Sequence, residues 1–331
     1  MTDLADLPAL TVIAHTHRFA PPTAMPVPWT GATGQVFPCD DVVIKVPFDR
    51  PDTIQAVTID SGIVPFVRSL GVAAPALIAF DDSRDILPVP FAVFRRVPNS
   101  TTLDARHATD APDRQAWEEV GRQLARVHAV RDPDRVPLAL RTFRQSSEFD
   151  PRPWVRELRE SQVLNQTDAQ WLDALLDALL IGNPAGIDGP HPPIGNRRAI
   201  ERERPIDAIA PRALADVPVV LCHGDVNAAN VLVDYDTGRF RALIDWAGAG
   251  WLDPAWDFAG VSLDIVPAML AGHRSVAPLV EDGTAEARIL WCQIQTRLYP
   301  LRVAPASAVT KRTVGRHLDQ IRRFARAAGY A

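Results

Sequence analysis

Disulfide frameworks and zinc sites have little support in this sequence, because cysteine is scarce. The three cysteines, Cys39, Cys222 and Cys292, are odd in number and show no Cys-x-x-Cys spacing. A disulfide framework needs an even set, and structural zinc sites use closely spaced ligands. We therefore predict that each cysteine is a small buried apolar residue.

Net positive charge and long apolar runs are missing as well. The chain of 331 residues carries a formal net charge of -5, so no global positive field attracts nucleic acid. No apolar run reaches the length of a membrane-spanning helix, and Asp3 and Asp6 precede any basic residue, unlike a secretory leader. These absences predict a cytoplasmic protein without nucleic-acid or membrane partners, and they leave protein partners unknown.

Lysine is nearly absent, occurring only at positions 45 and 311 although lysine and arginine together number 35. Its placement is therefore informative. Lys45 stands in a β-branched run behind an Asp-Asp turn, and the glycine pair Gly31 and Gly34 precedes that run. The pattern predicts strand, turn and strand across residues 35–50, and the apolar run Phe91–Phe94 predicts a further strand that leads into a linker.

The rest of the chain has mostly helical patterns. Trp117, Val120, Leu124 and Val127 recur at spacings of a helix with one buried stripe. Further helices are predicted after a capping box at Thr167 and Gln170, over residues 284–298 and over residues 308–328. Residues 181–217 begin too rich in glycine and proline for a helix or central strand, and we predict an insertion loop there.

Residues 223–246 contain the strongest functional signal. Two short strand patterns, 231–234 and 240–244, are joined by a turn sequence that contains Asp236 and Gly238. Antiparallel pairing would place Asn230, just before the first strand, beside Asp245, just after the second. Carbonyl and carboxylate oxygens of this kind suit magnesium, so both residues are candidate metal ligands.

Asp225 lies five residues before Asn230 on the approaching loop. A carboxylate there can accept a hydrogen bond from a substrate hydroxyl and orient it in line with a γ-phosphate. We predict Asp225 as the catalytic residue. His223 has no partner histidine for metal binding, and its neighbour Gly224 favours an orienting role in the loop over general base catalysis.

Two motifs, His-Gly-Asp-x-x-x-x-Asn at 223–230 and Ile-Asp-Trp at 244–246, resemble those of the aminoglycoside phosphotransferase family, which has choline kinase, macrolide kinase and fructosamine kinase relatives. The resemblance implies an α+β, protein-kinase-like bilobal fold. A small N-terminal nucleotide-binding lobe with an antiparallel sheet would cover residues 1–97, and a larger, mostly helical catalytic lobe residues 98–331. The implied cofactors are Mg2+ and ATP, with GTP as the alternative, and the implied partner is a small-molecule alcohol.

The same resemblance implies roles for further residues. It implies a nucleotide-cradling turn, a strand lysine that grips phosphates, a hinge that contacts the nucleobase through its backbone, and an acid that buttresses the catalytic loop. The turn consists of Gly31, Thr33 and Gly34, and the strand lysine is Lys45. The hinge residues are Arg95 and Val97, and the buttressing acid is Asp257. The family usually pairs the lysine with a glutamate on an early helix, but residues 52–70 contain none, so Asp60 or Asp52 is predicted instead.

The acceptor is less clear from the sequence. After Asp257 there are five acids against ten lysines and arginines, which weakens the case for a polycationic aminoglycoside. Trp246, Trp251 and Trp256 either line an amphipathic pocket or belong to the core. We predict a hydroxyl kinase for a small molecule, with an antibiotic, and hence antibiotic resistance, among the candidates. The alternatives are a kinase of a sugar or amino-alcohol metabolite and a catalytically weak nucleotide-binding pseudokinase.

Overall fold

The computed structural model of the protein describes residues 5–106, 113–137, 150–181, 217–303 and 308–330. The chain divides into two compact units. The first unit comprises Met1–Gln145, Val220–Leu252 and Ala268–Ala277, and the second unit comprises Ser146–Val219, Asp253–Pro267 and Pro278–Ala331.

An antiparallel sheet of five strands forms the N-terminal part of the first unit, in the order β1-β2-β3-β5-β4. Its strands are β1 (Trp29–Thr30), β2 (Gly34–Pro38), β3 (Val42–Pro47), β4 (Leu77–Asp81) and β5 (Phe91–Arg95). The predicted strand, turn and strand and the predicted strand at Phe91 are confirmed.

The pleat of β3 separates a core face from a face that carries the lysine. Val42, Ile44 and Val46 alternate along the strand and are buried in a cluster with Leu10 of helix α1 (Leu7–His17). Lys45 therefore points to the opposite face. Helix α2 (Pro51–Ser69) packs beside β3, and the side chain of Lys45 reaches it.

Two small antiparallel sheets and two helices also belong to the described part of the first unit. Strands β6, β8 and β9 form one sheet, and β7 pairs with β10. Their bounds are β6 (Ser100–Thr102), β7 (Val220–Cys222), β8 (Val231–Asp234), β9 (Phe240–Leu243) and β10 (Gly250–Leu252), with α3 (Leu103–Arg106) and α4 (Arg114–His128). The predicted hairpin is confirmed as β8 and β9, and the predicted stripe of α4 is buried at all four positions.

Helices dominate the part of the second unit that the structure describes. They are α5 (Arg152–Glu160), α6 (Gln166–Ile181), α8 (Ala285–Val303) and α9 (Ala308–Ala327), while α7 (Val266–Arg274) enters the first unit at Ala268. The predicted helices over 284–298 and 308–328 are confirmed as α8 and α9. Val314, Leu318 and Ile321 of α9 are buried on one stripe, as their spacing indicates.

The predicted capping box at Thr167 is wrong. The backbone N–H of Asp168 donates to Oδ1 of Asn165 at 2.8 Å, so Asn165 caps the helix and α6 begins at Gln166. Asparagine is among the strongest N-cap residues, because its short amide satisfies an unpaired donor of the first turn. Thr167 lies inside the helix.

Several remaining predictions can be placed. All three cysteines are buried, as predicted. The predicted insertion at 181–217 lies outside the described residues except for its two end positions, and the boundary after residue 97 stays a prediction. Among the helices of the described ranges, none has both the length and the apolar character that a membrane crossing requires.

Candidate active site

The β8–β9 hairpin brings Asn230 and Asp245 together. Val231 lies opposite Leu243, and the backbone N–H of Ile244 donates to the carbonyl oxygen of Asn230 at 3.0 Å. Asn230 is buried, whereas the side chain of Asp245 is 45% exposed and its backbone is left-handed at φ 62. The predicted proximity of the two residues is confirmed: a buried amide and an accessible carboxylate stand at one end of the hairpin.

Two amide side chains hold the carboxylate of Asp225. Nδ2 of Asn230 donates to Oδ2 of Asp225 at 2.9 Å and to its backbone oxygen at 2.8 Å. Nδ2 of Asn227 donates to Oδ1 of Asp225 at 3.0 Å. Asn227 was missed by the sequence reasoning, although an Asp-x-Asn pattern is typical of a local side-chain turn and could have indicated it.

The pKa of Asp225 is raised above its ordinary value. Partial burial is the main cause, since it disfavours the charged form, and the carboxylate of Asp245 acts in the same direction. His223 opposes the shift most strongly, and the amides of Asn227 and Asn230 also oppose it because they donate to the ionised form. A carboxylate with a raised pKa accepts a proton from a hydroxyl more readily than an ordinary one.

His223 joins the loop of Asp225 to the end of the hairpin. Its ring is fully buried, Nδ1 accepts the backbone N–H of Asp225 at 3.3 Å, and Nε2 lies 3.0 Å from the carbonyl oxygen of Ile244. Nε2 can therefore donate to the carbonyl oxygen of Ile244. The ring also packs on Trp246, with centroids 4.4 Å apart. This geometry supports the predicted orienting role, because both ring nitrogens bond to backbone groups.

Gly224 allows the chain to turn at this point. Its φ of +81 is left-handed, and a Cβ added there would lie 1.9 Å from the carbonyl oxygen of Gly248. Only glycine fits such a position without a shift of the backbone. The close approach of Gly224 and Gly248 fixes where the next residue, Asp225, enters the site.

Lys45 is held by two carboxylates. Nζ donates to Oδ2 of Asp60 at 2.6 Å and to Oδ1 of Asp245 at 3.4 Å. Asp52, the other acid that the sequence left open, pairs with Arg50 at 3.3 Å on the exposed start of α2. Burial lowers the pKa of Lys45, but Asp60 and Asp245 outweigh burial and raise it. The lysine therefore stays charged.

The predicted nucleotide turn is a tight connection between β1 and β2. The N–H of Gly31 donates to the oxygen of Gly34 at 2.9 Å, and Phe48 N–H donates to the oxygen of Thr33 at 3.0 Å. Gly31 and Thr33 are exposed, while Gly34 is buried. A Cβ at Gly34 would lie 2.2 Å from the oxygen of Val46, so the turn packs directly on β3.

The predicted hinge follows β5. The backbone N–H of Arg95 already donates to the oxygen of Ala76 at 2.7 Å, and the side chain of Arg95 is exposed. The carbonyl oxygen of Val97 accepts the hydroxyl of Ser100 at 2.8 Å. The contact of Arg95 and Val97 with a nucleobase stays a prediction.

Asp257 lies in the second unit, fully buried in the 3-10 turn Pro254–Phe258. Asp253 caps that turn by accepting the N–H of Ala255 at 2.8 Å, and it pairs with Arg288. The buttressing role of Asp257 stays a prediction.

The tryptophans near the catalytic motifs belong mostly to the core. Trp246 and Trp251 are buried at 0% and 3% exposure. Of the two alternatives for these residues, the core interpretation is correct, because fully buried rings cannot line an open pocket. Trp256 is half-buried.

Comparisons with known proteins agree with this arrangement. Residues 40–290 match the phosphotransferase enzyme family. The uncharacterized protein YcbJ of Bacillus subtilis (strain 168) is 28% identical over 97 residues, a match that covers 28% of this chain and 29% of that protein. The matched region is therefore less than a third of that relative's length.

Solved structures are similar over nearly the whole chain. The GDP complex of a variant of aminoglycoside 2'-phosphotransferase-IIIa has a TM-score of 0.59 at 14% identity and covers 96% of this chain and 97% of that one. A choline/ethanolamine kinase family protein from Mesorhizobium loti has a TM-score of 0.54 at 15% identity, with 98% and 96% covered. The predicted α+β, kinase-like fold is confirmed. Because the family match spans more than half of the sequence, the chain belongs to the phosphotransferase enzyme family.

Proposed function

We propose that the protein is a small-molecule kinase that transfers the γ-phosphate of ATP or GTP to a hydroxyl group. One observation carries the proposal: Asp225, Asn230 and Asp245 converge at the end of one hairpin, and Lys45 is bonded to Asp245. Aminoglycoside 2'-phosphotransferase-IIIa binds GDP in its structure, and APH(2")-IIIa binds GDP and kanamycin. These complexes support a nucleoside triphosphate as the phosphate donor.

The donor set fits a magnesium ion. Asn230 directs its Nδ2 to Asp225, which leaves the carbonyl oxygen Oδ1 as its remaining polar atom. This oxygen and the accessible carboxylate of Asp245 are the hard ligands that Mg2+ takes beside water and phosphate oxygens. When bound, the ion would neutralise phosphate charge that develops during transfer.

Lys45 supplies positive charge on the nucleotide side. A lysine ammonium is a compact charge with three donors, and the pair of carboxylates keeps it protonated and fixed. We propose that it contacts the phosphates that remain on the nucleotide. Gly31, Thr33 and Gly34 would cover those phosphates, with Arg95 and Val97 beside the nucleobase.

Asp225 has the geometry of a proton acceptor. In the reaction, the acceptor oxygen bonds to the γ-phosphorus as the bond from that phosphorus to the β,γ-bridging oxygen breaks. The hydroxyl proton passes to the Asp225 carboxylate, which Asn227 and Asn230 hold in one orientation. Positioning and charge stabilisation are most of what phosphoryl transfer requires.

The pseudokinase alternative loses its main support. It depended on the missing glutamate of the early helix, and Asp60 provides a carboxylate to Lys45 at 2.6 Å instead. We therefore propose an active enzyme. An antibiotic and a sugar or amino-alcohol metabolite remain alternative acceptors, because both use the same machinery.

A transfer assay tests the proposal. The full chain is incubated with magnesium, ATP or GTP and a panel of antibiotic and metabolite alcohols, and mass spectrometry detects an added phosphate. We expect Asp225→Asn to lower kcat by about 100-fold or more while nucleotide affinity is kept. The control is Asp52→Asn, which removes the charge of an exposed carboxylate on α2. Absence of nucleotide binding, or transfer that is equal in Asp225→Asn and Asp52→Asn, would refute the proposal.

A further inference from the structure

The second unit contains an open surface cavity of about 380 Å³, lined by both polar and apolar atoms, that no step above uses. Its volume lies within the usual range of small-molecule sites, about 300 to 1,000 Å³. The cavity lies where α8 and α9 pack beside the segment after the Pro254–Phe258 turn. Its lining includes Val261, Ser262, Thr296, Arg297, His317 and Gln320.

Arg297 places a charge at this cavity that forms no direct ion pair among the described residues. Its guanidinium donates to three neutral oxygens: Gln293 Oε1 at 2.9 Å, Gln320 Oε1 at 3.0 Å and the carbonyl oxygen of Val261 at 3.5 Å. A guanidinium has five N–H groups, so donors remain. Among the described residues, no carboxylate lies within ion-pair distance of it.

Five other arginines of the same unit differ from Arg297 in having a direct ion pair. Each of five pairs with an acid: Arg152 with Asp150, Arg288 with Asp253, Arg302 with Glu157, Arg322 with Asp168 and Arg323 with Asp264. Arg297 is half-buried, yet it has only neutral partners in the described ranges. A half-buried cation of this kind is costly unless an anion reaches it.

His317 adds a second, unusual group. Its Nδ1 is buried without a hydrogen-bond partner in the part of the chain that the structure describes. Burial, together with Arg297 and Arg316, lowers the pKa of His317 to about 4. Burial is the largest cause, and the two arginines add positive charge near the ring. Asp264, whose charge raises the pKa of Arg297, also pairs with Arg323 at 3.2 Å and accepts from Gln320 at 3.1 Å.

We propose that this cavity binds the carboxylate or phosphate group of a small molecule, with Arg297 as the charged donor and the ring of His317 on the cavity wall. An anion beside Arg297 would use its remaining N–H groups and balance its charge. Oγ of Ser262 accepts from Nε2 of Gln320 at 3.0 Å, so the O–H of Ser262 is a further donor on the wall. A polycation such as an aminoglycoside would be repelled here.

Ligand binding to the full chain tests this site directly. The probes are phenyl phosphate and benzoate, with benzamide as the uncharged match of benzoate, and the ring signals of His317 in NMR spectra report binding. We expect saturable shifts with the two anions and none with benzamide. Arg297→Gln should weaken anion binding at least about tenfold, since a hydrogen bond to a charged group is worth about 1.5 to 3 kcal/mol.

Matched variants keep the test sharp. Arg302→Gln removes an arginine of the same helix that pairs with Glu157 outside the cavity, and it should bind the anions like the unmodified chain. If Arg297→Gln does not fold, Arg297→Lys replaces it in the test. This variant keeps the charge and should retain part of the affinity for the anions. Equal shifts with benzamide and benzoate, equal affinities of Arg297→Gln and Arg302→Gln, or no saturable shift would overturn the proposal.

A turnover assay separates the two sources of such an anion. If the anionic group belongs to the alcohol that is phosphorylated, Arg297→Gln should raise KM for a hydroxy acid such as glycerate. Benzoate should then compete with glycerate. If a separate anion occupies the cavity, benzoate changes the rate with ethanolamine without competing with it. The binding measurement needs no turnover, so it stands even if the proposed kinase activity fails.

Discussion

The carboxylate of Asp60 bonds at the same time to Lys45 and to the backbone of Trp246. Oδ2 accepts from Nζ of Lys45 at 2.6 Å, and Oδ1 accepts the N–H of Trp246 at 3.0 Å. Trp246 directly follows Asp245, the candidate metal ligand. One buried side chain of α2 thus fixes the lysine and the loop that carries Asp245 relative to each other.

Removing this carboxylate should impair transfer more than folding. In Asp60→Ala, Lys45 loses its shorter contact and Trp246 N–H loses its acceptor, so both groups shift. A misplacement of about 1 Å lowers rates by about 100-fold, and we expect kcat/KM to fall by about that factor. Breaking a buried ion pair usually lowers the free energy of unfolding by about 3 to 5 kcal/mol. The loss in Asp60→Ala should be smaller, because Lys45 still pairs with Asp245. Transfer assays and urea unfolding measure the two effects.

Two further substitutions separate the roles of Asp60. Asp60→Asn keeps an acceptor for Trp246 but removes the charge beside Lys45, so it should recover part of the lost activity. Asp52→Ala removes an exposed acid of the same helix and should change stability by less than about 0.5 kcal/mol. The positioning role fails if Asp60→Ala and Asp52→Ala have equal kcat/KM.

Asn227 should set the pH range in which Asp225 works. Its amide stabilises the ionised carboxylate, so Asn227→Ala raises the pKa of Asp225 further above its ordinary value. The proton acceptor must be ionised, hence activity is present above that pKa and is lost as pH falls through it. The acid limb of kcat/KM against pH should therefore move to higher pH in this variant.

Asn165→Ala is the matched control for Asn227. Both asparagines cap the start of a helix, Asn227 by accepting the N–H of Ala229 at 2.9 Å and Asn165 by accepting that of Asp168 at 2.8 Å. Only Asn227 contacts Asp225. An acid limb at the same pH in both variants and in the unmodified chain would contradict the prediction.

A methyl group at Gly224 should displace the catalytic loop. Alanine at φ +81 costs about 1 to 2 kcal/mol, and its Cβ would overlap the oxygen of Gly248. We expect Gly224→Ala to lower kcat by about 100-fold or more, because Asp225 is the next residue. Gly62→Ala, in an exposed helical position with nothing within 4 Å, should leave kcat unchanged. The idea is rejected if the two alanine variants have the same kcat.

Local patterns allowed the sequence to predict the hairpin and the meeting of Asn230 with Asp245, since both depend on one turn and two short strands. Choosing whether Asp60 or Asp52 pairs with Lys45 required knowing which face of α2 is buried. The sequence held that signal: Asp60 lies on a stripe with Val57, Val64 and Val67, at offsets of three, four and seven residues. An acid on an apolar stripe faces the protein interior.

Other features depend on contacts that no local pattern contains. The cavity beside Arg297 needs residues 261, 297 and 317 to meet, and helix packing alone decides that. The closeness of Gly224 to Gly248 is likewise a contact between two loops. The capping error at Thr167 has a different cause, because Asn165 and Asp168 offer the same type of signal two residues earlier, and asparagine is the stronger cap.

Protonation of His317 should make the protein sensitive to acid. Its pKa is about 4 in the folded chain, below the ordinary value of about 6.5 in the unfolded chain. Between these values the unfolded chain binds a proton that the folded chain does not, so the free energy of unfolding falls as pH is lowered from about 6.5 to 4. The groups that face the ring are Arg297 on α8 and Arg316 on its own helix, and both oppose protonation.

His317→Gln removes this titration, so its Tm should decline less steeply than that of the unmodified chain across the same pH window. The control is His15→Gln, which replaces an exposed histidine on α1. Its Tm should depend on pH in the same way as that of the unmodified chain. Added benzoate should reduce the acid sensitivity of the unmodified chain, because an anion beside Arg297 favours the protonated ring. Parallel Tm curves for His317→Gln and the unmodified chain would show that the ring titrates normally, and the lowered pKa of His317 would then be wrong.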